Sequence, residues 1–218
     1  MIILDRLTKI FHMGADRKVV VNNATMTFPS RTSIALLGRN GAGKSTLLRI
    51  IAGTVEPTSG QVLTTGTISY PVGFSGSFHR DLTGAQNAKF VARIYGVDTE
   101  ALLDYVADFA ELGAHFHQPI HTYSSGMRSR LAFGISMGIP FDTYLVDEVT
   151  SVGDASFRSK SQRVFAERMQ DSGMLFVSHS LPLVKEVCQA GVVLEKGNLI
   201  YYDDVNEAIA HHSRNMGS

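Results

Sequence analysis

A single cysteine, Cys188, stands in the 218 residues. One thiol excludes an internal disulfide and fits a reducing compartment. It falls in a helical-looking stretch, Leu183 to Gln189, where a buried small hydrophobe is expected rather than a reactive thiol. Charge of one sign is also lacking: 20 Lys and Arg face 20 Asp and Glu. That balance removes the electrostatic case for a nucleic-acid partner. No apolar run approaches the roughly 20 residues that cross a bilayer. The apolar opening Met1-Ile2-Ile3-Leu4 is broken at once by Asp5 and Arg6, so no signal peptide is expected. Any membrane role is therefore expected to come through a partner. Internal repeats and low-complexity segments are missing too. The length suits one domain with a sizeable core.

What the chain does have is Gly38-Arg39-Asn40-Gly41-Ala42-Gly43-Lys44-Ser45, a full match to G-x-x-x-x-G-K-[ST]. An apolar run, Ile34 to Leu37, reads as a strand before it. A helix-like pattern, Thr46 to Ile51, follows. In that context the glycines let backbone N–H groups curl around phosphate oxygens, and the helix N-terminus adds partial positive charge. Gly38, Asn40, Gly41, Ala42, Gly43 and Thr46 are thus candidate nucleotide contacts. Lys44 would reach the β- and γ-phosphates, and the Ser45 hydroxyl would sit on Mg²⁺.

Short β-like runs appear at Val19–Val21, Thr25–Phe28, Ile34–Leu37, Gln61–Val62 and Thr67–Tyr70, with turns at Pro29-Ser30 and Pro57-Thr58-Ser59-Gly60. From Gly84 to Phe116 the period changes to a helical stripe, which reads as an inserted helical subdomain. A second strand series follows at Thr143–Val146, Met174–Val177 and Val192–Leu194. Helical patterns at Ser156–Gln170 and Leu183–Gln189 separate those strands, and a further helical tail follows Glu207. Alternating strand and helix predicts an α/β core with a largely parallel sheet. The strand Tyr144-Leu145-Val146 ends in Asp147-Glu148. Carboxylates at the carboxyl end of a parallel strand, beside a phosphate loop, suit a metal-bound nucleotide. Asp147 would hold Mg²⁺ through water, and Glu148 would orient or deprotonate the attacking water.

Taken together these residues resemble the nucleotide-binding subunit of an ATP-binding cassette (ABC) transporter. Tyr123-Ser124-Ser125-Gly126-Met127-Arg128 is similar to that family's signature loop, usually LSGGQ, at the family's spacing before Asp147. Ser151-Val152-Gly153-Asp154 resembles the D-loop, and Ser178-His179 the switch-histidine loop. The motifs run in order from about Phe11 to His179. The resemblance implies a P-loop NTPase core with a small antiparallel β-subdomain and an inserted α-helical subdomain, about residues 84–135, within one cassette of residues 1–218. It also implies ATP and Mg²⁺ as ligands and ATP hydrolysis coupled to transport. A second copy of the chain is implied as partner in an ATP sandwich, where Ser124, Ser125 and Gly126 face the γ-phosphate held by the other subunit. Asp154 joins the nucleotide-site residues, and His179 contacts the γ-phosphate. Phe11 stands where the family places an aromatic that stacks on adenine, with His12 able to share the role and core packing as the alternative.

The chain departs from the family in two places. Counting back from Leu82-Thr83-Gly84, the family's usual glutamine falls near Phe74 or Ser75, where no Gln occurs. Ser75, Ser77 or water is left to substitute. The signature loop carries Tyr123, Ser125 and Met127 where Leu, Gly and Gln are common. With other stretches, among them Phe90-Val91-Ala92-Arg93-Ile94-Tyr95 and Val146-Asp147-Glu148-Val149-Thr150, these departures resemble one branch: the ATPase of bacterial capsular polysaccharide exporters, similar to the lipid-linked O-antigen exporters. The extra carbohydrate-binding domain of many O-antigen ATPases has no room after His179, so the short form is expected to serve capsule export. The resemblance implies an integral-membrane permease as partner at the cytoplasmic face of the inner membrane, with periplasmic and outer-membrane export proteins reached through it. Phe74, Phe78 and Phe90 form either a groove for the permease's cytoplasmic helix or ordinary subdomain core. The alternatives are export of another substrate such as O-antigen, a non-transport ABC ATPase acting on ribosomes or DNA, and a P-loop kinase or GTPase. His115, His117 and His121 lack a Cys or carboxylate to complete a metal site. Asp81 to Gly84 matches the GTPase D-x-x-G pattern by chance, since no N-K-x-D motif accompanies it.

Overall fold

The structure is a computed structural model that describes residues 1–14, 16–73, 78–147 and 155–216. Its elements fall into two compact units. The first holds every strand and the helices α1 (Lys44–Ile51), α6 (Leu181–Val187) and α7 (Val205–Met216). The second holds α2 (Gly84–Tyr95), α3 (Thr99–Ala110), α4 (Ser125–Gly138) and α5 (Ala155–Met169).

Two sheets build the first unit. A three-stranded antiparallel sheet has the order β2-β1-β4, from β1 (Ile2–Met13), β2 (Asp16–Phe28) and β4 (Ser59–Thr64). A six-stranded sheet has the order β5-β6-β7-β3-β8-β9. Its members are β3 (Ser33–Leu37), β5 (Ile68–Pro71), β6 (Thr143–Asp147), β7 (Gly173–Val177), β8 (Ala190–Glu195) and β9 (Asn198–Tyr202). All pairs in it are parallel except β8 with β9.

The irregularities of the small sheet explain what its sequence hides. Ile2 and Leu4 face the core in simple alternation; Arg6 then adopts φ 48° and the register shifts, so that Leu7 rather than residue 6 points inward. A bulge rephases the period of two in this way. Asn23, at φ 45°, does the same to β2. The runs Val19–Val21 and Thr25–Phe28 are therefore parts of one long strand. β1 carries no clean alternation and gives no strand signal. β9 is also hidden, because it is short; it returns from β8 through Lys196 (φ 47°) and Gly197 (φ 84°), the paired left-handed residues of a two-residue hairpin. Thr67–Tyr70, which lies near the antiparallel strands in sequence, joins the parallel sheet as β5.

Helix α1 lies in the core shared by the two sheets. Leu47, Leu48, Ile50 and Ile51 cluster with Leu4, Leu7, Val20 and Val21 of the small sheet and with Ile34, Leu36, Leu145 and Leu175 of the large one. Burying each such side chain is worth about 2 kcal/mol. Cys188 is buried, and burial pushes its thiol up to about 12, consistent with a packing role.

In the second unit the starts of α2, α3 and α4 are capped. Thr83 and Gln86 form a reciprocal capping box on α2, Asp98 accepts from the Ala101 N–H at 3.0 Å, and Ser124 accepts from the Met127 N–H at 3.2 Å. Phe109 stacks on Tyr105 and Phe133 and meets Phe157 edge-on, which gathers α3, α4 and α5. Lys160 of α5 donates to the carbonyls of Asp108 and Phe109 and pairs with Glu111 at 2.7 Å, satisfying the end of α3. The helical unit thus reaches past the 84–135 stretch marked in sequence, since α5 packs into it.

Helix α7 approaches β8 so closely that a methyl group added at Gly191 would run into the Ala208 side chain. Gly191→Val should destabilise the fold by about 1–3 kcal/mol. Urea unfolding of Gly191→Val, Ala208→Gly and the double variant should show the two costs to be strongly non-additive, since one contact carries both.

Candidate nucleotide-binding site

The loop Gly38–Gly43 leaves the carboxyl end of β3, the strand with β7 on one side and β8 on the other. This is where open parallel sheets bind ligands. Two of its glycines are required by geometry. A Cβ at Gly38 would lie 2.6 Å from the Leu194 carbonyl oxygen of β8. Gly43 takes φ 111° and caps α1, and a Cβ there would collide with Val20 of β2. The loop is thus pressed between β8 and β2, and no side chain can separate it from either.

Lys44 is 9% exposed, and its Nζ donates to the carbonyls of Gly38 (2.8 Å) and Arg39 (3.2 Å). The ammonium therefore lies across the mouth of the loop. Ser45 and Thr46, half-buried, occupy the first turn of α1, whose N–H groups face the same way. Asp147 is the last residue of β6, half-buried and paired in register with Val177 of β7. His179 lies two residues past the end of β7 and is exposed, with Ser180 capping α6 behind it. Lys44, Ser45, Asp147 and His179 all stand at the carboxyl edge of one parallel sheet. Ser45 and Asp147 offer hard oxygen donors, a type that suits Mg²⁺ once phosphate oxygens are added. Among the described residues no group of three His, Cys, Asp or Glu is placed to hold a metal alone, the histidines 115, 117 and 121 included.

Phe11 stands on β1 and is 39% exposed, so it is not core. Lys9 Nζ lies 4.8 Å from its ring centroid. Its cross-strand partner is Lys18, whose Nζ comes within 4.0 Å of where a Cβ on Gly41 would be. The Phe11–Lys18 pair therefore carries an aromatic face to the edge of the phosphate loop. Lys18 had no motif to mark it; only the register of β1 with β2 reveals it.

The signature-like loop belongs to the second unit. Ser124 caps α4, and Ser125 and Gly126 form its first turn. Tyr123, in place of the common Leu, is buried. Burial pushes its phenol pKa up, and its hydroxyl donates to the His115 carbonyl at 2.5 Å. A Cβ on Gly84 would come within 2.5 Å of that hydroxyl. Arg128 Nη1 donates to the Tyr123 carbonyl at 2.7 Å. The departure at Tyr123 is accommodated by glycine at the start of α2, and Leu82-Thr83-Gly84 is that helix's cap rather than a GTPase element. Glu148 and the D-loop through Asp154 lie outside the described residues, as do Phe74, Ser75 and Ser77 around the missing glutamine.

A sequence profile described as ABC transporter matches residues 21–151. The chain belongs to the ABC transporter family. It is 49% identical over 212 residues to the polysialic acid transport ATP-binding protein KpsT of Escherichia coli, covering 96% of this chain and 95% of that one. It is 39% identical to the ATP-binding protein BexA of Haemophilus influenzae, covering 98% of each. The capsule polysaccharide export ATP-binding protein CtrD of Neisseria meningitidis serogroup B is 38% identical over 98% of this chain and 99% of its own. The fold matches the dimeric ATP-binding cassette MJ0796, solved in a post-hydrolysis state with ADP and phosphate, at a TM-score of 0.75. Identity there is 19%, over 92% of this chain and 98% of that one. The ABC assignment makes this an ATP-binding, ATP-hydrolysing chain of the transport class. Among its described residues no helix is long and apolar enough to cross a membrane.

Gly43→Ala should cost about 1–3 kcal/mol of folding stability through strain at φ 111°. It should also weaken ATP binding at least tenfold by displacing the loop from Val20. Titration with a fluorescent ATP analogue checks this; unchanged affinity would mean that this loop does not hold the phosphates.

Proposed function

We propose that this chain powers export of a capsular polysaccharide, a lipid-linked glycan, across the bacterial inner membrane together with a membrane permease. What supports the proposal is the alignment with KpsT at 49% identity over 96% of this chain and 95% of that one. BexA and CtrD align over nearly their whole lengths as well. Both units together, residues 1–218, act as one cassette, held by the permease at the cytoplasmic face.

The site residues take the following roles in this reading. The amides of Gly41, Ala42 and Gly43, with Asn40 beside them, wrap the phosphates from the loop that Gly38 opens. Lys44 turns from the loop carbonyls to the β- and γ-phosphate oxygens, and Thr46 adds its first-turn N–H. Mg²⁺, held by Ser45 and through water by Asp147, would supply charge neutralisation on those oxygens. Glu148 orients the attacking water, and His179 contacts the γ-phosphate. Phe11 stacks on the adenine while Lys18 faces the phosphates. Ser124, Ser125 and Gly126 present a hydroxyl and helix-start amides to the nucleotide of a second copy, and Asp154 approaches the shared site. Phe90 and Ile94, one turn apart on α2 and 58% and 61% exposed, form the apolar surface that the permease's cytoplasmic helix would cover.

Expressed with its neighbouring genes and extracted in detergent, the chain should purify with a polytopic membrane protein and hydrolyse ATP in that complex. A chain that stays alone with full ATPase activity would overturn the transport reading. In the complex, Glu148→Gln should retain ATP binding and lower turnover by at least a hundredfold. Wild-type turnover would remove Glu148 from its role.

A further inference from the structure

Helix α7 carries a feature that none of the motifs above includes. It begins at the foot of β8, where the Val205 N–H donates to the Gln189 carbonyl at 2.9 Å. Its Ala208 lies over Gly191. A helix of this length rises about 18 Å, and β8 spans about 20 Å. The last turn of α7 therefore comes level with the carboxyl end of β8, and so with Leu37 at the end of the neighbouring β3 and Gly38 just after it.

The rotation of that last turn is fixed by a clamp. Glu195, at the end of β8, accepts from Asn215 Nδ2 at 2.7 Å and faces His211 Nε2 at 3.5 Å. The other ring nitrogen of His211 is 2.8 Å from the Tyr202 hydroxyl of β9. His211 and Asn215 are one turn apart and both point at Glu195, so His212 must point to another side. There His212, Ser213 and Met216 line a cavity of about 320 Å³ whose other walls include Gly38, Lys44 and His179. Burial, and after it the charges of Lys44, His211 and His179, hold the His212 pKa below the usual imidazole range. The Lys44 ammonium and the His212 ring thus line one cavity, which is the setting of an anion site. The carboxyl end of α7 opposes an anion through its dipole, and the Lys44 ammonium on the facing wall offsets that effect.

We infer that His212, with Ser213 beside it, contacts the terminal phosphate of bound ATP from the side opposite the loop, which makes α7 a wall of the nucleotide site. The inference rests on the nucleotide-binding reading of the Gly38–Ser45 loop. ADP tests that reading separately, because it reaches the loop and lacks the terminal phosphate.

The test uses the full chain, with affinities for ADP and for a non-hydrolysable ATP analogue measured by calorimetry. His212→Ala should weaken the ATP analogue at least about tenfold and leave ADP within about twofold, as expected for one lost hydrogen bond to an anion. His212→Asn, which keeps a donor, should recover part of the loss. Ser213→Glu, on an exposed position that does not bear on folding, should weaken the analogue at least tenfold and spare ADP. Equal weakening of both nucleotides by His212→Ala would assign the residue to positioning α7 and overturn the inference, as would no change in either. Should His212→Ala fail to fold, an unchanged analogue-to-ADP ratio in Ser213→Glu overturns it independently. A wild-type chain that binds neither nucleotide defeats the loop reading, and the inference with it.

Discussion

The burial of helix α1 is the constraint on which the functional site depends. Its first residue is Lys44, and its next turns send Leu47, Leu48, Ile50 and Ile51 into a core shared by both sheets. Four such side chains represent on the order of 8 kcal/mol of gross burial, comparable to the whole net stability of a domain. The helix therefore cannot shift without unfolding its unit, and the loop before it inherits that rigidity. A loop of backbone amides can hold phosphate only if it does not have to be ordered on binding, so preorganisation here is a by-product of core packing. The contacts of Gly38 with β8 and Gly43 with β2 complete the fixing from either side.

The two units contribute different chemistry. The sheet-bearing unit gathers Lys44, Ser45, Asp147 and His179 at one edge because parallel strands all end on the same side. Among its described residues the helical unit offers a capped helix start at Ser124 and an exposed apolar pair at Phe90 and Ile94.

Much of the site was legible in sequence, for a physical reason. Phosphate binding by backbone demands glycines, a lysine and a hydroxyl at fixed offsets, so local chemistry writes the pattern into consecutive residues. Asp147 was legible because an apolar strand ending in a carboxylate is a local signal too. What could not be seen is set by pairing across the chain. Lys18 reaches the loop only through the register of β1 with β2. His212 reaches it only because α7 runs the length of β8. The two bulged strands were partly hidden because Arg6 and Asn23 break the alternation that announces a strand. Helix α5 read correctly as a helix, but its membership of the helical unit depends on Phe157 meeting Phe109, a contact between distant residues.

The packing of Tyr123 against Gly84 makes two positions 39 residues apart into a single unit of shape. The phenol fills the space that any side chain at 84 would need, so neither site is free to vary while the other stays. A recombinant that imports an LSGGQ-type loop from another cassette would leave a hole where the ring had been. One that imports a bulkier residue at the start of α2 would expel the ring. For anyone splicing cassettes, the modular boundary of this signature loop therefore does not lie at its flanking residues: the first residue of α2 has to travel with it.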